Sequence, residues 1–133
     1  GVWVGTRFIA TPEAQAVPGY KDVLVGLAED GTVVTRAFTG KTCRVARNAY
    51  TQAFEDEGGV AQPFPGQVIK SMQDGANHLG GDESTQGVDP TIEFMPMGQG
   101  AGAIDELVPA ADLVARFVAE AEATIDRLAA LRP

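Results

Sequence analysis

The chain has a single cysteine, Cys43, which excludes an internal disulfide and any metal site built from several thiolates. Basic residues are scarce: 10 Lys and Arg stand against 18 Asp and Glu, for a formal charge of -8, and the basic ones are scattered along the sequence. Nucleic acids and anionic membranes reward clustered Lys and Arg, so neither is expected as a partner. No apolar run approaches the ~18 residues needed to cross a bilayer. The opening residues also lack a basic stretch leading into an apolar core and a cleavage site. A reducing cytoplasmic setting is the expectation. The first residue is Gly1, not Met, and the chain reads as the C-terminal piece of a longer protein. What is present in quantity is apolar: 44% of 133 residues, the proportion of one globular α/β domain.

Val2-Trp3-Val4 and Phe8-Ile9-Ala10 flank Gly5-Thr6 with almost no polar alternation, which predicts a strand covered on both faces of a parallel sheet. Trp3 is expected in the core. Thr11-Pro12-Glu13 predicts a short helix start, with Thr11 as cap and Glu13 complementing the dipole. Tyr20, Val23, Leu24 and Leu27 recur at helical spacing. Thr32 to Thr39 is rich in β-branched residues and predicts a strand. Val45 to Glu57 predicts a helix ended by Gly58-Gly59, and Val68 to Met72 opens another that runs toward Gly80-Gly81. Gly80 to Asp89 reads as an exposed loop, and Thr91 to Met95 as a short extended segment stopped by Pro96. The last stretch carries one apolar stripe, Leu113, Val114, Phe117, Val118, Ala121, Ile125 and Leu128, and predicts an amphipathic helix that needs a partner surface.

Two segments could carry chemistry. A strand running into Gly5-Thr6 offers amides and a hydroxyl to a phosphate, although an ordinary strand-end turn gives the same pattern. Gly98-Gln99-Gly100-Ala101-Gly102 would let backbone lie against a flat ring, with Gln99 supplying donor and acceptor; a flexible linker is the alternative. His78, the sole histidine, fits a helix-end or solvated role better than a catalytic one. Lys41 and Arg44 could lower the pKa of Cys43, but an ordinary thiol is the better reading. Asp82-Glu83 and Asp30 have no metal-ligand spacing, and no metal is expected.

Val4-Gly5-Thr6-Arg7-Phe8-Ile9-Ala10-Thr11-Pro12-Glu13-Ala14 resembles the last-strand segment of the nitronate monooxygenase family. Lys21, then Thr35-Arg36-Ala37-Phe38-Thr39-Gly40-Lys41 with Arg44 and Asn48, and then Gly98 to Gly102 before a terminal helix, follow in that family's order. The resemblance implies the C-terminal portion of a (β/α)₈ TIM barrel with a small α/β insertion. Residues 1–17 would be the last strand and the start of the following helix, 18–104 the insertion near the barrel mouth, and 105–133 the closing helix. It further implies FMN, its phosphate at Gly5 and Thr6 with Val4 and Arg7 adjacent, and its ring near Gly98, Gln99 and Gly100. Met97 departs from the small residue usual before Gly98. The catalytic histidine of such enzymes lies on an earlier strand, so no catalytic residue is expected in this chain, which alone would be inactive.

The activity implied is oxidation of alkyl nitronates by O₂. Flavin-type enoyl-acyl-carrier-protein reductases and quinone reductases share this tail, so an NAD(P)H-dependent reductase on the same scaffold is the alternative. A non-catalytic module that binds a phosphate-bearing ligand or a partner protein is the third.

Overall fold

The computed structural model describes residues 2–131. In chain order the elements are α1 (Gly5–Ile9), α2 (Tyr20–Val25), β1 (Thr32–Thr35), β2 (Cys43–Ala46), α3 (Ala49–Asp56), α4 (Gly66–Gln73), a 3₁₀ turn at Ala101–Ala103 and α5 (Ala110–Ala129). None of the helices is long and apolar enough to cross a membrane, among the described residues.

The opening segment departs from expectation. Gly5–Ile9 is a helical turn rather than the second half of a strand, so any extended run is confined to residues before Gly5. A strand needs neighbours to take up its amides and carbonyls, and no described strand flanks this segment, whereas a helix satisfies much of its backbone internally. Trp3, expected inside, is 99% exposed. Thr11 caps only one turn, its Oγ1 accepting from the Ala14 amide at 3.2 Å, and no helix follows. Glu13 does serve a helix start, but a different one: both its carboxylate oxygens accept from the Ala110 amide at 3.1 Å, at the entrance to α5.

β1 and β2 form an antiparallel hairpin with Val33 opposite Val45 and Val34 opposite Arg44. The predicted strand stops at Thr35 because Gly40, at φ +73°, lets the chain turn back, with its amide donating to the Arg36 carbonyl at 2.9 Å. Val45 was expected on a helix and lies on β2 instead, fully buried against Phe38 and Ala76. Pairing with the β-branched run of β1 outweighs the weak helical spacing there. α3 begins only at Ala49, where a capping box fixes it: the Thr51 amide donates to Asn48 Oδ1 and the Asn48 amide to Thr51 Oγ1, each at 3.0 Å. α4 also ends early, at Gln73, with Gly75 in the left-handed region just beyond.

A third extended run, Glu93 to Gly98, lies along the free edge of β2. The Ala46 amide donates to the Met95 carbonyl and the Met97 amide to the Arg44 carbonyl, at 3.0 and 3.1 Å. Pro96 does not stop this run, because its missing N–H falls at a position where the flanking residues make the bonds. One core packs Tyr20 and Leu24 of α2 against Met95, Met97 and Ile104; the other gathers around Phe38, stacked between Tyr50 and Phe94. α5 buries Leu113 and sets Phe117 edge-on to Phe8, while Val118, Ile125 and Leu128 further along face outward.

Candidate functional site

An open cleft of about 740 Å³ lies between the opening turn, the hairpin and the Gly98 loop. That size falls in the range of roughly 300–1,000 Å³ usual for small-molecule sites. Val4, Gly5, Thr6 and Arg7 line it from one side, and Gly98, Gln99 and Gly100 from another. Segments more than ninety residues apart are thereby brought to one concavity, and the contact is direct: the Gly98 amide donates to Thr6 Oγ1 at 2.7 Å.

The helical turn of α1 explains what its first residues offer. Val4 presents its carbonyl to the Arg7 and Phe8 amides, at 3.0 and 3.4 Å, so those two donors are satisfied. The Gly5 and Thr6 amides come too early in the helix for a helical acceptor, and neither donates to a described residue. A Cβ built on Gly5 meets nothing within 4 Å, and one on Gly100 likewise meets nothing; a Cβ on Gly98 would meet Thr6 Oγ1 at 3.1 Å. Free amides beside unfilled space are the requirement for an anion to approach a backbone.

Arg7 lines the cleft but works largely as a strut. Its Nη1 donates to the carbonyls of Ala10 and Glu106, at 3.3 and 3.1 Å, tying the opening turn to the approach of α5. Residues absent from the sequence expectation also line the cleft: Trp3, Arg44, Pro96, Met97, Ala103, Ile104 and Phe117. Of these only Arg44 carries charge, and no Asp or Glu is among the lining residues described. A chain with formal charge -8 thus keeps acid out of the described lining of this cleft and places two arginines there.

His78 is neither solvated nor at a helix end. Its Nδ1 lies 2.6 Å from Glu93 Oε2, and its backbone amide donates to Glu93 Oε1 at 2.9 Å. Glu93 is 1% exposed and begins the run that leads into Gly98. The sequence signal for that pairing was faint: a glutamate at the centre of an apolar extended segment. Tyr20, whose hydroxyl donates to the Pro96 carbonyl, pins the same run from the α2 side. Burial pushes the Tyr20 phenol up, so it stays a protonated donor.

Cys43 is half-buried on β2, and burial raises its thiol above the ordinary value, outweighing a hydrogen bond with Thr39 that lowers it. Lys41 and Arg44 therefore do not make it reactive. Labelling by iodoacetamide at pH 7.5 should be slower than that of free cysteine, and equal or faster labelling would contradict this environment.

Comparison with known proteins gives the following likenesses. The nitronate monooxygenase family matches residues 1–120. A Mycobacterium tuberculosis protein described as a monooxygenase, Rv1533, is 27% identical over 98% of this chain and 35% of its own length. A Staphylococcus aureus protein named for nitronate monooxygenase is 30% identical over 64% of this chain and 24% of its own length. Among solved structures, FabK from Thermotoga maritima superposes with a TM-score of 0.69 at 27% identity, covering 96% of this chain and 39% of that one. The chain therefore spans about a third or less of the length of these curated relatives. FabK is a TIM-barrel enzyme, and the mixed α/β arrangement here is that of part of such a barrel.

Proposed function

The chain belongs to the nitronate monooxygenase family, and from that premise we propose that it forms part of the cofactor site of an FMN-dependent oxidoreductase which oxidises alkyl nitronates with O₂. The observation that carries the reading is the pair of unengaged amides at Gly5 and Thr6 beside space that a Cβ would fill. This geometry suits a phosphate: small, anionic and able to accept several hydrogen bonds at once. The residues present fit the group: Gly5 and Thr6 would hold its phosphate, with Val4 and Arg7 adjacent, and Gly98, Gln99 and Gly100 would lie along its ring.

The flavin, when bound, supplies the electron chemistry. The chain's own contribution is binding and orientation. Thr6 ties the two segments together through the Gly98 amide, so a phosphate at the first and a ring at the second would be held in one frame. Gln99, exposed at the loop, has both a donor and an acceptor to offer a ring edge. Within the whole protein, residues 1–17 and 105–133 would belong to the barrel, with 18–104 inserted beside its mouth. A cytoplasmic setting is proposed with it.

The test uses the longer protein that carries this chain: purified enzyme should show flavin absorbance and take up O₂ with propyl-2-nitronate. Flavin without nitronate turnover, accompanied by NAD(P)H consumption, would select a reductase instead, a second reading favoured by the likeness to FabK. Enzyme purified without flavin and unable to take it up would overturn both. In the same protein Thr6→Val removes one hydroxyl contact, worth about 0.5–1.5 kcal/mol. FMN affinity measured by fluorescence quenching should therefore fall only several-fold.

A further inference from the structure

Arg44 is the charged residue of the cleft that no cofactor contact claims. It stands on β2, on the same face of the hairpin as Thr32, and Nη1 donates to Thr32 Oγ1 at 3.0 Å. Nε and Nη2 make no hydrogen bond to a described residue, and no carboxylate lies within 4.0 Å of the guanidinium among the described residues. The side chain is nonetheless half-buried. A partly desolvated guanidinium held in place with donors to spare is costly unless an anion completes it. Arg7, the other arginine at the cleft, has its Nη1 engaged by two carbonyls.

Position makes the case stronger. The Met97 amide donates to the carbonyl of Arg44, and the next amide, Gly98, donates to Thr6 Oγ1. Arg44 and the Gly5-Thr6 turn thus flank the same two residues from opposite sides and both line the cleft, with no acid among its described lining. We infer that Arg44 is the specificity-determining residue for a planar two-oxygen anion, a nitronate or a carboxylate, bound in the cleft beside the cofactor. The forked guanidinium matches such an anion with two parallel N–H···O bonds, whereas a lysine would offer only a point charge. This rests on the flavin-site reading above and adds the residue of this chain that recognises the substrate's anionic group.

The experiment compares the flavin-loaded longer enzyme with its Arg44→Gln and Arg44→Lys variants. Arg44→Gln should raise KM for propyl-2-nitronate at least about tenfold, equivalent to roughly 1.4 kcal/mol, with kcat, flavin content and Tm little changed; Arg44→Lys should recover part of the loss. Benzoate, a carboxylate with the same fork, should perturb the flavin spectrum with a Kd weakened in parallel, and this arm reads the anion site even where nitronate is not turned over. Should the wild type hold no flavin, the reading of the site fails first, and calorimetric titration with benzoate still decides whether Arg44 binds an anion. Unchanged KM and benzoate affinity would overturn the inference. So would loss of flavin, which would place Arg44 on the cofactor; a fall in Tm larger than loss of the single Thr32 contact explains, which would make the guanidinium chiefly structural; or a raised KM confined to NADPH, which would assign it to a nucleotide phosphate.

Discussion

Gly5→Val in the longer enzyme should strip most of the FMN, lowering affinity by about 100-fold or more while leaving the melting temperature nearly unchanged. Two amides that donate to a phosphate contribute about 1.5–3 kcal/mol each when the acceptor is charged, and a branched side chain between them and the ligand forfeits both. The fold has no reason to object. The space beside Gly5 is empty, its φ lies outside the left-handed region, and valine is a slightly better helix residue than glycine. Flavin content by absorbance after gel filtration, set beside a thermal melt, separates the two effects. Full flavin retention would remove the phosphate from this turn.

The second large effect is on stability. Glu93→Ala should cost on the order of 3 kcal/mol, because it deletes a buried carboxylate that both the His78 amide and its ring nitrogen address, leaving those groups without a partner. For a domain this size that is a fall in Tm of about 10 °C. Glu93→Gln keeps the shape and one acceptor, so it should lose less than half as much. Equal losses in both would mean that the charge, not the acceptor geometry, holds the pair. Because Glu93 begins the run that carries Gly98 to the cleft, the alanine variant should also weaken flavin binding, and His78 acts here as a positioning residue.

The residues that converge on the cleft were legible because glycines and a hydroxyl at the end of an apolar run, and three glycines in five residues, are local patterns. The terminal helix was legible for the same reason: its stripe repeats over about four turns, long enough to override competing signals. What failed depends on partners. Val45 sits on a strand because β1 pairs with it, and no window around Val45 contains β1. Glu13 was expected to complement the start of its own helix, but no helix follows it, and its carboxylate accepts instead from the amide that opens α5, about a hundred residues on. The Asn48-x-x-Thr51 box that marks the start of α3 was passed over for an apolar spacing that begins at Val45, because a box is recognised only once both its hydrogen bonds are formed. Arg44 and His78 gave no local sign of their roles, since each is defined by what comes to lie beside it.

The two neighbouring peptide groups of Met97 and Gly98 have one further consequence. Their amides are taken up by Arg44 and by Thr6, so the hairpin and the opening turn are joined through two successive residues of the cleft wall. Elsewhere in the lining Trp3 is almost fully exposed, and a Cβ on Gly100 would meet nothing within 4 Å. A side chain introduced at Gly100 should therefore be accommodated, whereas one at Gly98 should press on the Thr6 hydroxyl and disturb the junction between the two segments.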